Sequence, residues 1–165
     1  MQRLAPRTIA LVTAVLAAAA LGVAYGSEIW GGLVPCALCL VERWPYRIVV
    51  VLGLVAAVSP PGLGRVLLAG AVLVLLAGAA TAAVHAGVEL HWWPSPLPEC
   101  AAPHIGGASL ADRLASMPDR PSKPCDDPTF LVPGLPVSMA AMNTVFALVF
   151  AVTLAISLLT NRSRR

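Results

Sequence analysis

The stretch VPCALCLVERWPYRIVVVLGLVAAV, Val34 to Val58, opens with two cysteines three positions apart. It then passes through Glu42, Arg43 and Arg47 and closes in an unbroken apolar run. A helix needs about 20 mostly apolar residues to cross the hydrocarbon of a bilayer. Ile48 to Val58 is too short to do so alone. A span here reaches back to about Leu40, giving residues 40–59, and takes the charged threshold with it. Charges beside hydrocarbon are costly and accessible thiols are reactive, so this arrangement asks for a chemical reason.

The chain on either side is equally apolar. Of its 165 residues, 58% are hydrophobic and 12% are charged, about half the charged fraction of a soluble domain. Three further segments are long enough to span: 8–26, 65–85 and 138–160. The first follows Arg3 and Arg7 as a signal peptide would, but its apolar stretch exceeds the usual length and three spans come after it. A retained helix is expected. Arg3 and Arg7, Arg65 in the SPPGLGR turn, and Arg162, Arg164 and Arg165 lie in segments without an acid. The positive-inside rule places both termini and that turn in the cytoplasm. Residues 27–39 and 86–137 then face outward. The expected fold is a single all-α integral membrane domain over 1–165, a four-transmembrane-helix bundle with two outer loops. The second loop is long, holds most of the chain's prolines and reads as irregular; such loops are more often functional than mere connectors. No internal repeat is evident.

All four cysteines, Cys36, Cys39, Cys100 and Cys125, fall on the outer side in this topology. Disulfides persist in oxidising compartments such as the bacterial periplasm. Three pairings are possible in principle. A zinc site would want two close pairs or histidines at ligand spacing, and His85, His91 and His104 show no such rhythm. A c-type haem needs histidine after the second cysteine, where Leu40 stands. The usual spacings of an iron–sulfur cluster are absent. A Cys100–Cys125 bond would be a reasonable structural staple for the long loop. The close pair resists that reading, because so small a ring restrains little of the unfolded chain. Cysteines separated by two intervening residues commonly exchange electrons.

If the backbone is helical from Cys36, then Cys36, Cys39, Arg43 and Arg47 form one stripe. Arg43 would lie one turn below Cys39 and favour its thiolate. Pro45 pulls the other way: proline favours a first helical turn, so regular helix could begin near Trp44 and leave the pair in a turn. Arg47 reads equally as an interfacial anchor, and Glu42 as a charge balance. Trp92 and Trp93 suggest an aromatic belt at the membrane surface.

Three segments together resemble the DsbB family, the membrane proteins that reoxidise a periplasmic disulfide donor, DsbA, and pass electrons to quinone. PCALCLVERWPY is similar to the family's first redox segment. HAGVELHWWPSPLPEC is similar to the approach to its third cysteine, and CDDPTFLVPGLPVSMAAMN to its fourth cysteine and last helix. Pro136 and Val137 depart from the family's usual Gly-Leu-Ser-Met-Ala there. The resemblance implies a protein-dithiol:quinone oxidoreductase of the bacterial inner membrane. It implies a loop disulfide Cys100–Cys125, with Cys100 attacked by the DsbA-like partner, and a membrane-proximal disulfide Cys36–Cys39 that reoxidises it, Cys39 passing the electrons on. A quinone, ubiquinone or menaquinone, would bind beside Arg43, with His85 bordering its headgroup. The expected partners are a thioredoxin-fold oxidase, a quinone and the bilayer; no metal and no nucleic acid is expected. Within enzymes, a DsbB-like protein serving another thioredoxin-fold partner is the nearest rival. An enzyme like vitamin K epoxide reductase would place its close pair after the loop pair, the reverse of this order. From another class, the alternative is a non-catalytic membrane protein or small transporter with stapled loops.

Overall fold

A computed structural model describes residues 6–100, 109–115, 123–132 and 134–161. His104 and the tail arginines Arg3, Arg162, Arg164 and Arg165 lie outside the described residues. The elements are α1 (Pro6–Ile29), α2 (Ala37–Val58), α3 (Pro61–Glu89), a 3-10 turn (Pro98–Cys100), α4 (Leu110–Ala115) and α5 (Met139–Thr160). No strand occurs among the described residues, only an isolated parallel bridge between Cys36 and Lys123.

Three helices, α1, α3 and α5, are long and apolar enough to cross a membrane. The four-span expectation is met only in part, because α2 is not of that kind. Every 18-residue window of this 22-residue helix contains Glu42, Arg43 and Arg47. α1 and α3 also run past their expected spans at both ends, and α2 begins three residues before its own. Pro61 takes the first position of α3, where its missing N–H costs nothing, and so reduces the connection after α2 to Ser59 and Pro60. At 1.5 Å per residue, α3 is ~43 Å long, more than the ~30 Å hydrocarbon core. Its last turns, with His85 and Glu89, can therefore stand clear of the apolar slab.

α2 packs against both α1 and α3, and α3 packs against α5. Between apolar helices in lipid the hydrophobic effect offers little, so close backbone approach must hold them together. The sequence supplies small residues for this. Ala10, Ala14 and Ala17 form a buried stripe on α1, with Gly53 of α2 against Ala10 and Ala14. A β carbon at Gly53 would stand 3.0 Å from Ala10 O and from Ala14 Cβ. Tyr46, Val49, Leu68, Leu75, Phe150 and Leu154 fill the core between helices, while Val15, Leu73 and Val145 point outward. Thr13, Thr144, Thr153 and Ser157 return their hydroxyls to carbonyls four residues back in the same helix, as polar side chains in lipid must.

The long loop is irregular but not featureless. Trp93 folds back on α3, its indole N–H donating to Val84 O at 3.0 Å, and Gly87 leaves room for its ring. The turn into the loop puts His91 at φ 57°. Reciprocal hydrogen bonds between Ser109 and Asp112 start the short α4.

Candidate functional site

Cys36 is the N-cap of α2. Its backbone is extended and its sulfur accepts from the Cys39 amide at 3.2 Å. Helix therefore begins at Ala37, and Pro45 sits inside it. The later start near Trp44 is not what occurs. Proline in a helix interior forfeits a backbone hydrogen bond; here tertiary packing holds the segment, with Pro45 seated against Gly78 of α3. A β carbon at Gly78 would come within 2.9 Å of Pro45 Cβ.

Cys36 and Cys39 are free thiols with their sulfurs 2.7 Å apart, whereas Cys100 and Cys125 are joined in a disulfide. The long loop brings that disulfide down onto the close pair. Cys36, Cys100 and Cys125 are all buried in one cluster with Leu38 and Val88, and Cys39 packs against it. The Cys36–Lys123 bridge aligns the two backbones. The Lys123 ammonium clamps its own loop segment by donating to Pro128 O at 3.2 Å and Thr129 Oγ1 at 2.9 Å.

Beside the dithiol lies a cavity of about 360 Å³, lined in part by Cys39. Its walls are mostly apolar, including Leu16, Ala20, Met142 and Phe146, and its polar lining comprises Cys39, Glu42, Arg43, Tyr46, His85, Glu89 and Asn143 among others. Mostly apolar walls with a few convergent polar groups are what a small lipophilic ligand requires.

The two arginines are held by α1. Arg43 pairs with Glu28 at 2.8 Å and lies over the Tyr25 ring at 4.6 Å. Arg47 donates to the Tyr25 hydroxyl and covers the Trp44 ring at 4.9 Å. Cys39 and Arg43 share the cavity, but among the described residues the partners of Arg43 are Glu28 and Tyr25. The expected stabilisation of a Cys39 thiolate by Arg43 is thus replaced by another arrangement. The hydrogen bond from Cys39 draws the Cys36 thiol below its ordinary range, against the opposing effect of burial.

His85 stands at the centre of a buried chain. Its Nε2 is 3.4 Å from Cys36 Sγ, and its Nδ1 is 2.6 Å from Glu42 Oε1. The second Glu42 oxygen accepts from Asn143 Nδ2 at 2.6 Å, and Asn143 Oδ1 accepts from the Tyr46 hydroxyl. Glu42, to which the sequence assigned no role, joins α2, α3 and α5 here. Asn143 and Tyr46 were not singled out either. A polar residue inside an apolar span was the available signal for Asn143. Donor atoms of Cys36, Cys39 and His85 all lie within 4.8 Å of one another. Two thiolates on one tetrahedral zinc would sit ~3.8 Å apart, so the 2.7 Å spacing of the sulfurs suits a dithiol poised to close.

No curated protein and no solved structure matches the chain. Its sequence does match the family described as disulfide bond formation protein DsbB, over residues 6–157. With that match covering most of its length, and two cysteine pairs packed together at one end of apolar helices, the chain belongs to the DsbB family.

Proposed function

We propose that this membrane protein is a quinone-dependent thiol oxidoreductase that reoxidises a periplasmic DsbA-like partner. The family carries thiol oxidation in disulfide formation; the acceptor, the partner and the residue roles are our reading. One observation carries it. The Cys36–Cys39 dithiol adjoins both the loop disulfide and the cavity: Cys36 is buried in one cluster with Cys100 and Cys125, and Cys39 lines the cavity. A two-sided redox pair needs this placement, because its donor is a protein in water and its acceptor is dissolved in lipid.

In this reading the partner's thiolate attacks the loop disulfide at Cys100 and releases Cys125. The Cys125 thiolate then attacks the oxidised close pair. In this reading Cys36, which shares a buried cluster with Cys125, is the sulfur attacked, and Cys39, which lines the cavity, is the one released. A quinone bound there would supply an acceptor for two electrons and two protons. Apolar walls suit such a ring, and Arg43 and Asn143 carry hydrogen-bond donors on the cavity lining. The α2 helix would cross the bilayer as the fourth span, its charges shielded by α1, α3 and α5. Both termini would be cytoplasmic.

Anaerobic turnover of the full chain with a reduced thioredoxin-fold protein tests this. Substrate thiols are expected to disappear in step with added quinone, ubiquinone or menaquinone, and to persist with Cys39→Ser. Thiols that persist with the unaltered chain and both quinones would favour a non-catalytic membrane protein with stapled loops.

A further inference from the structure

We propose that His85 is the base that takes the Cys36 thiol proton, and that Glu42 is a positioning residue fixing the His85 tautomer for that transfer. The hydrogen-bond chain carries the inference. A carboxylate has no proton to donate, so Glu42 Oε1, at 2.6 Å, requires the hydrogen of His85 on Nδ1. The lone pair of Nε2 then faces Cys36 Sγ at 3.4 Å. Glu42 cannot turn away, since Asn143, itself held by Tyr46, occupies its other oxygen. A thiol, an imidazole and a carboxylate in line are the arrangement by which proteins activate a sulfur nucleophile. Glu42 also faces the imidazolium that forms with an opposite charge.

The balance is complete. Closing the close pair forms one S–S bond and removes two protons and two electrons from Cys36 and Cys39. The first proton moves from Cys36 to His85 Nε2 and the second leaves Cys39. Both sites line the cavity, from which a quinone carries away two protons and two electrons as quinol. The proposal rests on the redox reading above, but its test reads the thiol without acceptor or partner, so the two can fail separately.

The groups facing His85 are Glu42 from α2, Glu89 one turn along α3 at 3.9 Å, and the two thiols; α5 has no titratable side chain. Site-resolved alkylation of the fully reduced, full-length protein by iodoacetamide, followed against pH, gives the Cys36 midpoint. Glu42→Gln keeps the shape and removes the charge. It is expected to raise the midpoint by about one pH unit and slow alkylation below it about tenfold. His85→Gln should act in the same direction, and the double variant no further than either single one. If Glu42 were merely a nearby negative charge, its removal would lower the midpoint, and that result overturns the proposal. Nitrogen NMR of the His85 ring in the unaltered protein decides the tautomer without any variant. With Cys36 protonated, hydrogen on Nδ1 is expected; hydrogen on Nε2 alone would refute the assignment.

Discussion

Arg43 shows how one charge beside hydrocarbon becomes usable. It is only 7% exposed, and burying an unpaired cation would be costly. Glu28 neutralises it at 2.8 Å and Tyr25 offers a ring face, yet the side chain still lines the cavity. In the proposed reaction a guanidinium there would stabilise negative charge developing on a quinone carbonyl. Losing one charge-assisted hydrogen bond of this kind costs about 1.5–3 kcal/mol. Arg43→Met should therefore slow quinone-coupled turnover roughly tenfold to a hundredfold. One stoichiometric round of exchange between reduced partner and loop disulfide should survive, because among the described residues Arg43 is held by Glu28 and Tyr25 of α1. Stopped-flow kinetics separates these steps, and unchanged quinone kinetics would leave Arg43 as an interfacial anchor only.

At the scale of the helix, α2 owes its place to small residues on its neighbours. Gly53 admits α1, and Gly78 of α3 admits Pro45. The same contact sets the height of His85, two turns beyond Gly78 on α3, relative to Cys36 and Glu42 on α2. Gly78→Val puts a branched side chain where even a β carbon stands 2.9 Å from Pro45. Overpacking of this kind costs about 1–3 kcal/mol. A lowered thermal midpoint is expected in detergent, together with weaker coupling between the close pair and quinone. Gly70, with nothing within 4 Å of a β carbon, provides the control: Gly70→Ala should leave the midpoint unchanged or slightly raised, since alanine is the better helix former. Equal melting of the two variants would mean that α2 and α3 do not depend on this approach.

Across the whole molecule, both cysteine pairs gather at one end, where the long loop returns to meet Cys36. The proposed orientation rests on arginines in segments without acids. Membrane-impermeant thiol labelling of reduced protein in intact spheroplasts should reach Cys100 and Cys125. Labelling only after membrane rupture would reverse the topology and end the proposed mechanism. Acid-quenched peptide mapping during turnover should reveal a transient disulfide linking a loop cysteine to Cys36. A map showing only bonds within each pair at every stage would exclude exchange between them.

The apolar segments were legible in the sequence alone, as were the expectation that the cysteines face outward and the suspicion attached to Cys36, Cys39 and Arg43. They rest on local quantities: hydropathy over a helix length, arginine bias in short connections, and spacing along one helix face. The sequence could not settle whether helix survives Pro45, because that depends on Gly78, 33 positions away. Nor did it settle the partners of Arg43, which come from α1, or the role of Glu42, whose two oxygens meet different helices. A lone acid beside an arginine looks like charge balance until tertiary packing brings a histidine to one oxygen and an amide to the other. Hydrogen bonds between distant helices leave no period in a sequence, so only the folded arrangement of α2, α3 and α5 decided them.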